Sequence, residues 1–471
     1  MPISPTTPLA GAGLPIRLDP TIPNQALRVR AGLRDAITGG RLRPGLRLPS
    51  SRALAEELGV GRNAVVAAFE HLIGDGLIEA RRGAGTYVAA ALPPPPGAPT
   101  KPDFAPKSVV RRPCALGVTH VEPALLARLG AAARRRIAGA TAEALGYGDP
   151  RGDARLRARI AEFLAVNRGL RCDPDCVMIV SGTQHGLRLC VDALLSPGDP
   201  VWMEEPGYGA SKSTLIAGGA RLVPVPVDSE GIDVEAGLAA EPRARAVYVT
   251  PSHQFPTGAQ MSMARRVRLL DFAREAGAWV FEDDYDSEYR YSGPPLTALA
   301  GIAGERVIYL GTFAKTLFPG LRIGYMALPP EAVAPVAEAR ASLDRFPPAF
   351  MQAAVADLME DGGLAAHARR MRVRYAAARD ALVASLSAAS PRLLSVDAPQ
   401  QGLHLIARLG PDLPPEAAPE IRRRADVDAL LLSEARLGAG GPEGFILGFS
   451  GFEPAALGEA GRRLVEAARS I

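Results

Sequence analysis

Residues 307–329 read VIYLGTFAKTLFPGLRIGYMALP, and the reading of this stretch decides the fold. Two apolar runs of strand length, VIYLGTF and GYMALP, enclose a polar segment that carries one lysine, Lys315, and one arginine, Arg322. Working outward, the pattern recurs as VMIVSG (177–182), PVWMEEP (200–206), AVYVTP (246–251) and AWVFEDDY (278–285). Between these runs lie helical stretches such as GLRLCVDALLSPG (186–198) and ARRVRLLDFAREAG (264–277). Strands alternating with helices predict an α/β domain with a mainly parallel sheet. Ligands of such a sheet bind beyond the carboxyl ends of its strands, so function is expected to collect there.

Taken in order, the strand ends are Ser181-Gly182-Thr183-Gln184, Glu205-Pro206-Gly207-Tyr208, Thr250 to Gly258 (TPSHQFPTG), Asp283-Asp284-Tyr285, and Gly311 to Lys315 followed by Arg322. This series resembles the class I/II aminotransferases, fold-type I pyridoxal-phosphate proteins, over residues 114–465. The resemblance implies pyridoxal 5'-phosphate as cofactor. That chemistry needs a lysine to hold the aldehyde as a Schiff base and an anion to keep the pyridinium nitrogen protonated. Lys315 fits the first role, as the catalytic residue, and Asp283 the second, through a charge-assisted hydrogen bond. Tyr285, two residues along the same strand, points to the same face and fits the cofactor's phenolic oxygen.

Gly182, Thr183 and Gln184 begin a helix directly after a strand, where free N–H groups and the helix dipole favour a phosphate. By the same resemblance Thr312 and Arg322 are further phosphate contacts, and Tyr208 stacks on the pyridine ring. His253, with Gln254, stands where many aminotransferases place an asparagine near the phenolic oxygen, a departure from the pattern. A second departure concerns the substrate carboxylate, which amino-acid aminotransferases hold with an arginine in a stretch resembling Gly444-Phe445-Ile446-Leu447-Gly448-Phe449-Ser450. That stretch has no arginine here, so a different amine is expected, such as taurine or another ω-amino or compatible-solute derivative. Lys212, Arg151 and Arg345 are alternative cations that spacing does not choose among.

Ahead of this region, LPPPPGAPTKPDFAPKSVVRRP (92–113) has prolines that forbid helix and sheet ladders, which predicts a semi-rigid linker. Residues 15–91 are then one domain and residues 114–471 another. In the first, PNQALRVRAGLRDAITG (23–39) places Leu27, Leu33 and Ile37 near one helical face. RLRPGLRLPS is turn-rich and ends at Ser50 or Ser51, either a helix N-cap. SRALAEELG and the run from Arg62 to Ile73 are two helices joined by a tight glycine turn, a helix-turn-helix. LIEA and GTYVAA around Arg81-Arg82-Gly83-Ala84-Gly85 predict a hairpin wing.

These residues resemble the GntR family of winged-helix regulators, over residues 20–90. The resemblance implies double-stranded DNA as partner, with the helix that opens on Arg62 and Asn63 entering the major groove. Arg52, Arg81 and Arg82 then reach phosphates, while Arg62 meets a phosphate or a guanine edge.

Charge agrees with that division. The net charge is +4, and residues 1–92 hold eleven arginines and no lysine against seven acids, while the remainder balances 43 bases with 43 acids. A polyanion is therefore attracted to the first domain. With 22% charged and 47% hydrophobic residues, the chain is not a disordered protein. No apolar run is long enough to cross a bilayer, and the first basic residue is Arg17, so neither a spanning segment nor a signal peptide is expected. Four cysteines are too few for a disulfide framework, and Cys172 and Cys176 lack the partners of a zinc site, so no metal is expected and the location is expected to be cytoplasmic.

A winged helix-turn-helix joined by a linker to an aminotransferase-like domain resembles the MocR-type subgroup, whose wording is matched in SSRALAEELGV, YGDPRGDARLR, TPSHQFPTG, EDDYDSEYRY and GTFAKTLFPGLRIGY. That resemblance implies a homodimeric transcription regulator rather than an enzyme, in which an amine or amino-acid-like effector displaces Lys315 to form an external aldimine. The alternative is an aminotransferase with an appended DNA-binding module.

Overall fold

The computed structural model describes residues 13–91, 111–438 and 440–471, which form two compact units, one ahead of the proline-rich stretch and one after it. The expected linker lies outside the described residues except for 111–113.

In the first unit, helix α1 (Gln25–Thr38) starts where the Asn24 side chain accepts from the N–H groups of Ala26 and Leu27. Helix α2 (Ser51–Leu58) is capped by Ser50 and stopped by Gly59 at φ 63, a left-handed position that suits glycine. Helix α3 (Arg62–Gly74) follows after three residues. Strands β1 (Ile78–Arg81) and β2 (Gly85–Val88) pair antiparallel as the wing. Val29, Leu33, Ile37, Leu54, Val65, Leu72 and Val88 are buried together as its core. Two details differ from the periodicity reading. Leu27 is 49% exposed and Val29 takes its place in the core. The turn-rich passage also joins the wing, since Arg47 bridges antiparallel to Tyr87 and Leu48 N donates to Thr86 O.

The second unit is built on strands β3 (Val177–Val180), β4 (Pro200–Glu205), β5 (Arg221–Asp228), β6 (Gly231–Ile232), β7 (Ala246–Val249), β8 (Trp279–Asp284), β9 (Val307–Thr312) and β10 (Gly324–Ala327). They form one sheet in the order β3-β10-β9-β8-β7-β4-β5-β6. The run β5, β4, β7, β8, β9 is parallel throughout, while β10 lies antiparallel to both neighbours and β6 to β5. Helices on both faces bury β3 and β7 completely, which is why those strands read as unbroken apolar runs rather than alternating ones, and β8 is buried likewise although it ends in three acids. Gly311 lets β9 and β10 approach, because a Cβ there would stand 2.4 Å from the Tyr325 ring.

Beyond this sheet, strands β11 (Leu394–Val396), β12 (His404–Leu409), β13 (Leu430–Leu431) and β14 (Gly444–Gly448) form a second, antiparallel sheet ordered β11-β12-β14-β13. Its buried face carries Leu405, Phe445 and Leu447, packed with Tyr375, Leu382 and Leu464 from the helices Gly363–Leu386 and Pro454–Arg469. Among the described residues, no helix is long and apolar enough to cross a membrane.

Candidate functional site

A cavity of about 500 Å³ opens at the carboxyl ends of the parallel strands of the second unit. Gly182, Thr183 and Gln184 after β3, Tyr208 after β4, Asp283 and Tyr285 at the end of β8, Thr312 at the end of β9, and Lys315 and Arg322 beyond it all line this one space. Residues up to 140 positions apart in the chain thus share a single wall.

At one end the cavity is shaped for an anion. Gly182 has φ 119 and precedes the helix Thr183–Leu194, whose first N–H groups open towards the cavity. A Cβ at Gly182 would stand 3.5 Å from both terminal nitrogens of Arg322, so the guanidinium lies against the helix start. Thr312 Oγ1 accepts from Ala314 N at 3.0 Å, which leaves its hydroxyl hydrogen free to donate.

At the other end Asp283 is buried, and the Tyr248 hydroxyl donates to its Oδ2 at 2.5 Å. Its Oδ1 is buried with no hydrogen-bond partner among the described residues. Burial pushes the Asp283 carboxyl up to about 7, against the pull of the Tyr248 hydrogen bond. An unpartnered carboxyl oxygen in such a place calls for a hydrogen-bond partner, and a protonated ring nitrogen would supply one. Because the folded value is raised, this group favours the folded state fully below about pH 4, and that contribution is lost as pH rises through 7. Glu204 and Glu282 are also raised to about 7 by burial, so Asp283 is isolated by substitution. Without cofactor, Asp283→Asn should melt higher than the parent by at least about 2 °C at pH 8, with the difference vanishing near pH 4. Parallel melting curves across that range would contradict the assignment.

Neighbouring Asp284 faces the other way, as alternation along a strand requires. It accepts from Arg168 Nε at 2.6 Å and from the Tyr309 hydroxyl at 2.5 Å, while Arg168 Nη2 reaches Glu288 at 2.7 Å. This buried group fixes the end of β8 from behind. Lys315 is fixed by Tyr289, whose hydroxyl donates to Lys315 O at 3.0 Å, and its Nζ lies against Gly117, where a Cβ would stand 3.1 Å away. Burial pulls the Lys315 ammonium below the usual lysine range, despite Asp286 and Asp283. A larger fraction is therefore neutral and nucleophilic.

His253 does not line the cavity. It is buried one layer back, with Nδ1 2.9 Å from Asp286 Oδ2 and 3.2 Å from the Tyr285 hydroxyl, which donates to His253 O at 3.0 Å. It meets the cavity through Tyr285 and through His404, whose ring centroid lies 4.9 Å from its own. His253, Asp286 and His404 also bring ligand-type atoms within 4.8 Å of one another, but His253 is paired with Asp286 and His404 Nε2 with Pro256 O at 3.1 Å.

Sequence reading missed Tyr248, Phe255, His404 and Glu434 in the lining. Tyr248 left a signal, a tyrosine inside a wholly buried strand, whose hydroxyl must find a partner. The three alternative cations are not in the lining. Lys212 Nζ donates to Ala435 O at 2.6 Å and to Glu205 at 3.3 Å, Arg151 pairs with Asp149 and Asp175, and Arg345 lies over the Tyr147 ring.

In the first unit Arg52, Arg62, Asn63, Arg81 and Arg82 are all exposed. Arg62 and Asn63 open α3, Arg52 lies in the first turn of α2, and Arg82 is at the wing tip. Arg81 is bonded to Glu79 and covers the Tyr87 ring at 4.5 Å.

Residues 25–88 match the family described as bacterial regulatory proteins, gntR family, and residues 120–435 match aminotransferase class I and II. The chain is 36% identical over 450 residues to the probable rhizopine catabolism regulatory protein MocR of Rhizobium meliloti, covering 91% of this chain and 90% of that one. This chain is a MocR-type member of the GntR family. The MocR-type regulator is also 34% identical to the HTH-type transcriptional regulator TauR of Rhodobacter capsulatus, over 76% of its own length and 79% of TauR. Its second unit matches the crystal structure of an alpha-aminoadipate aminotransferase from Thermus thermophilus, with 30% identity and a TM-score of 0.67, over 76% of this chain and 92% of that one. The MocR-type regulator thus fuses a winged helix-turn-helix to a fold-type I aminotransferase-like domain, as the motifs led one to expect.

Proposed function

We propose that this MocR-type regulator holds pyridoxal 5'-phosphate in the cavity and uses it to sense a small amine, whose binding alters the grip of the first unit on DNA. The observation that carries this reading is the unpartnered Oδ1 of buried Asp283, sharing a cavity with Lys315 and with the anion-shaped end formed by Gly182 and Arg322. When bound, the cofactor supplies an aldehyde carbon that a primary amine, from Lys315 or from a ligand, engages covalently.

The chain's own residues divide the work. Asp283, held by Tyr248, keeps a proton on the ring nitrogen. The N–H groups from Thr183 onward, with Thr312 and Arg322, hold the phosphate. Tyr208 packs on the ring and Tyr285, steadied by His253, orients the phenolic oxygen. Supporting this, the Thermus thermophilus enzyme was solved with N-(5'-phosphopyridoxyl)-L-leucine.

For the DNA side, Arg62 and Asn63 read the major groove while Arg52, Arg81 and Arg82 engage phosphates. Residues 15–91 and 114–471 are the two functional domains, and the regulator acts as a homodimer, so that two reading heads engage one operator. An effector shifts this equilibrium only by its differential affinity for two arrangements of the heads. The test is to load the purified protein with pyridoxal phosphate and supply an amino donor with a keto acceptor. A visible absorbance band that responds to amines, without sustained turnover, is expected. No band would overturn the cofactor assignment, and rapid multiple turnover would favour an aminotransferase carrying a DNA-binding module.

A further inference from the structure

The charge around the cavity limits what the sensed amine is. Among the described lining residues the lysine and arginine side chains are Lys315 and Arg322 alone. Arg322 lies against Gly182 at the phosphate end, and Lys315 is the attachment point. The apolar side chains of the lining are those of Leu116, Phe255, Leu403, Leu430 and Ala435, with Pro319, Ala210 and Ala314. Of these, Leu116, Phe255, Leu430 and Ala435 pack in one apolar cluster with buried Ile406, Leu432 and Ile446.

His404 and Glu434, also in the lining, do not favour an anion. His404 Nε2 donates to Pro256 O, and burial pulls the ring down to about 3, so it stays neutral. Glu434 adds a carboxylate, its Oε2 accepting from Leu431 N at 2.7 Å and Arg422 Nη1 at 2.8 Å. Lys212, buried and outside the lining, is bonded to Ala435 O and Glu205. A ligand acid group turned to these apolar side chains would leave water for aliphatic carbon, and among the described lining residues no cation other than Lys315 and Arg322 is there to meet it, since Arg422 lies outside the lining and is paired with Glu434.

We infer that the ligand class of this site is a small primary amine carrying no carboxylate, sulfonate or phosphate, with a tail that is either uncharged or a second ammonium. The inference deepens the reading of the cavity as an amine sensor and rests on it. An uncharged tail packs on Leu403 and Leu430, and a cationic one gains from Glu434. Acidic amines are rejected because they desolvate without compensation, which is a stronger basis for discrimination than shape alone.

The experiment uses the full chain loaded with pyridoxal phosphate and three amines of matched length: butylamine, 1,4-diaminobutane and 4-aminobutanoate. Dissociation constants are measured by calorimetry, with the visible band recorded in parallel. Butylamine or 1,4-diaminobutane should bind at least about tenfold more tightly than 4-aminobutanoate. In Leu430→Arg, which places a cation on the wall, that margin should shrink by a similar factor, about tenfold. Binding of 4-aminobutanoate to the unaltered chain as tightly as the other two overturns this inference and leaves the sensor reading standing. Failure of all three to bind or to change the band overturns both.

Discussion

Replacing Lys315 with alanine should abolish the visible absorbance that pyridoxal phosphate gives the parent protein, and with it every effect of an amine on DNA binding. Lys315 lines the cavity with its Nζ against Gly117, and the Tyr289 hydroxyl donates to its backbone carbonyl. The anion-shaped end formed by Gly182, Thr183, Thr312 and Arg322, proposed above to hold the phosphate, is untouched by the substitution, so residual non-covalent binding of the cofactor is expected. DNA binding without effector should also persist, since the reading helix lies in the other unit. Absorbance spectra and a DNA-binding titration check both halves. An amine response that survives intact in Lys315→Ala would mean that sensing does not pass through this side chain.

The second large effect is expected from Arg62→Ala. Arg62 is the first residue of α3, exposed, at the end of the helix that a winged helix-turn-helix turns towards bases. Loss of a contact to a base edge or phosphate there should weaken binding to a selected operator duplex by roughly 5–150-fold, the range of 1–3 kcal/mol. Arg159→Ala is the control, since Arg159 sits in the second unit and pairs with Glu162 on the same helix. Equal losses from the two variants would show that net charge, rather than a groove contact, is responsible.

Much of this architecture was legible in the chain because its signals are local. The three N-terminal helices are marked by caps at Asn24 and Ser50 and by the stop at Gly59. The six apolar runs of the large sheet are legible because burial on both faces removes the alternation that would have blurred them. Strand β5 was not legible, since Pro224 and Pro226 interrupt its run and argue against a sheet position. Both prolines point to solvent while Val223 and Val225 face the core, which is how the strand tolerates them. The small sheet β11-β12-β14-β13 escaped notice because its strands are short and its pairings join residues that are distant in sequence.

The site divides along the same line. Residues at strand ends could be named because each closes a recognisable run. Tyr248 bonds Asp283 across 35 positions, and His404 reaches Pro256 across 148, contacts that only the fold creates. His253 shows the converse: its motif is visible in the sequence, but its place behind Tyr285, bonded to Asp286, is set by tertiary packing.

The central claim, that occupancy of the cofactor cavity controls the grip on DNA, is tested most directly by one titration. A duplex selected by the protein from random sequence is bound by the cofactor-loaded regulator with and without a saturating amine that calorimetry has shown to occupy the cavity. The account predicts a change in affinity of about 5–150-fold, in either direction, for the parent and none for Lys315→Ala. An affinity that stays the same while the cavity is demonstrably filled would contradict it.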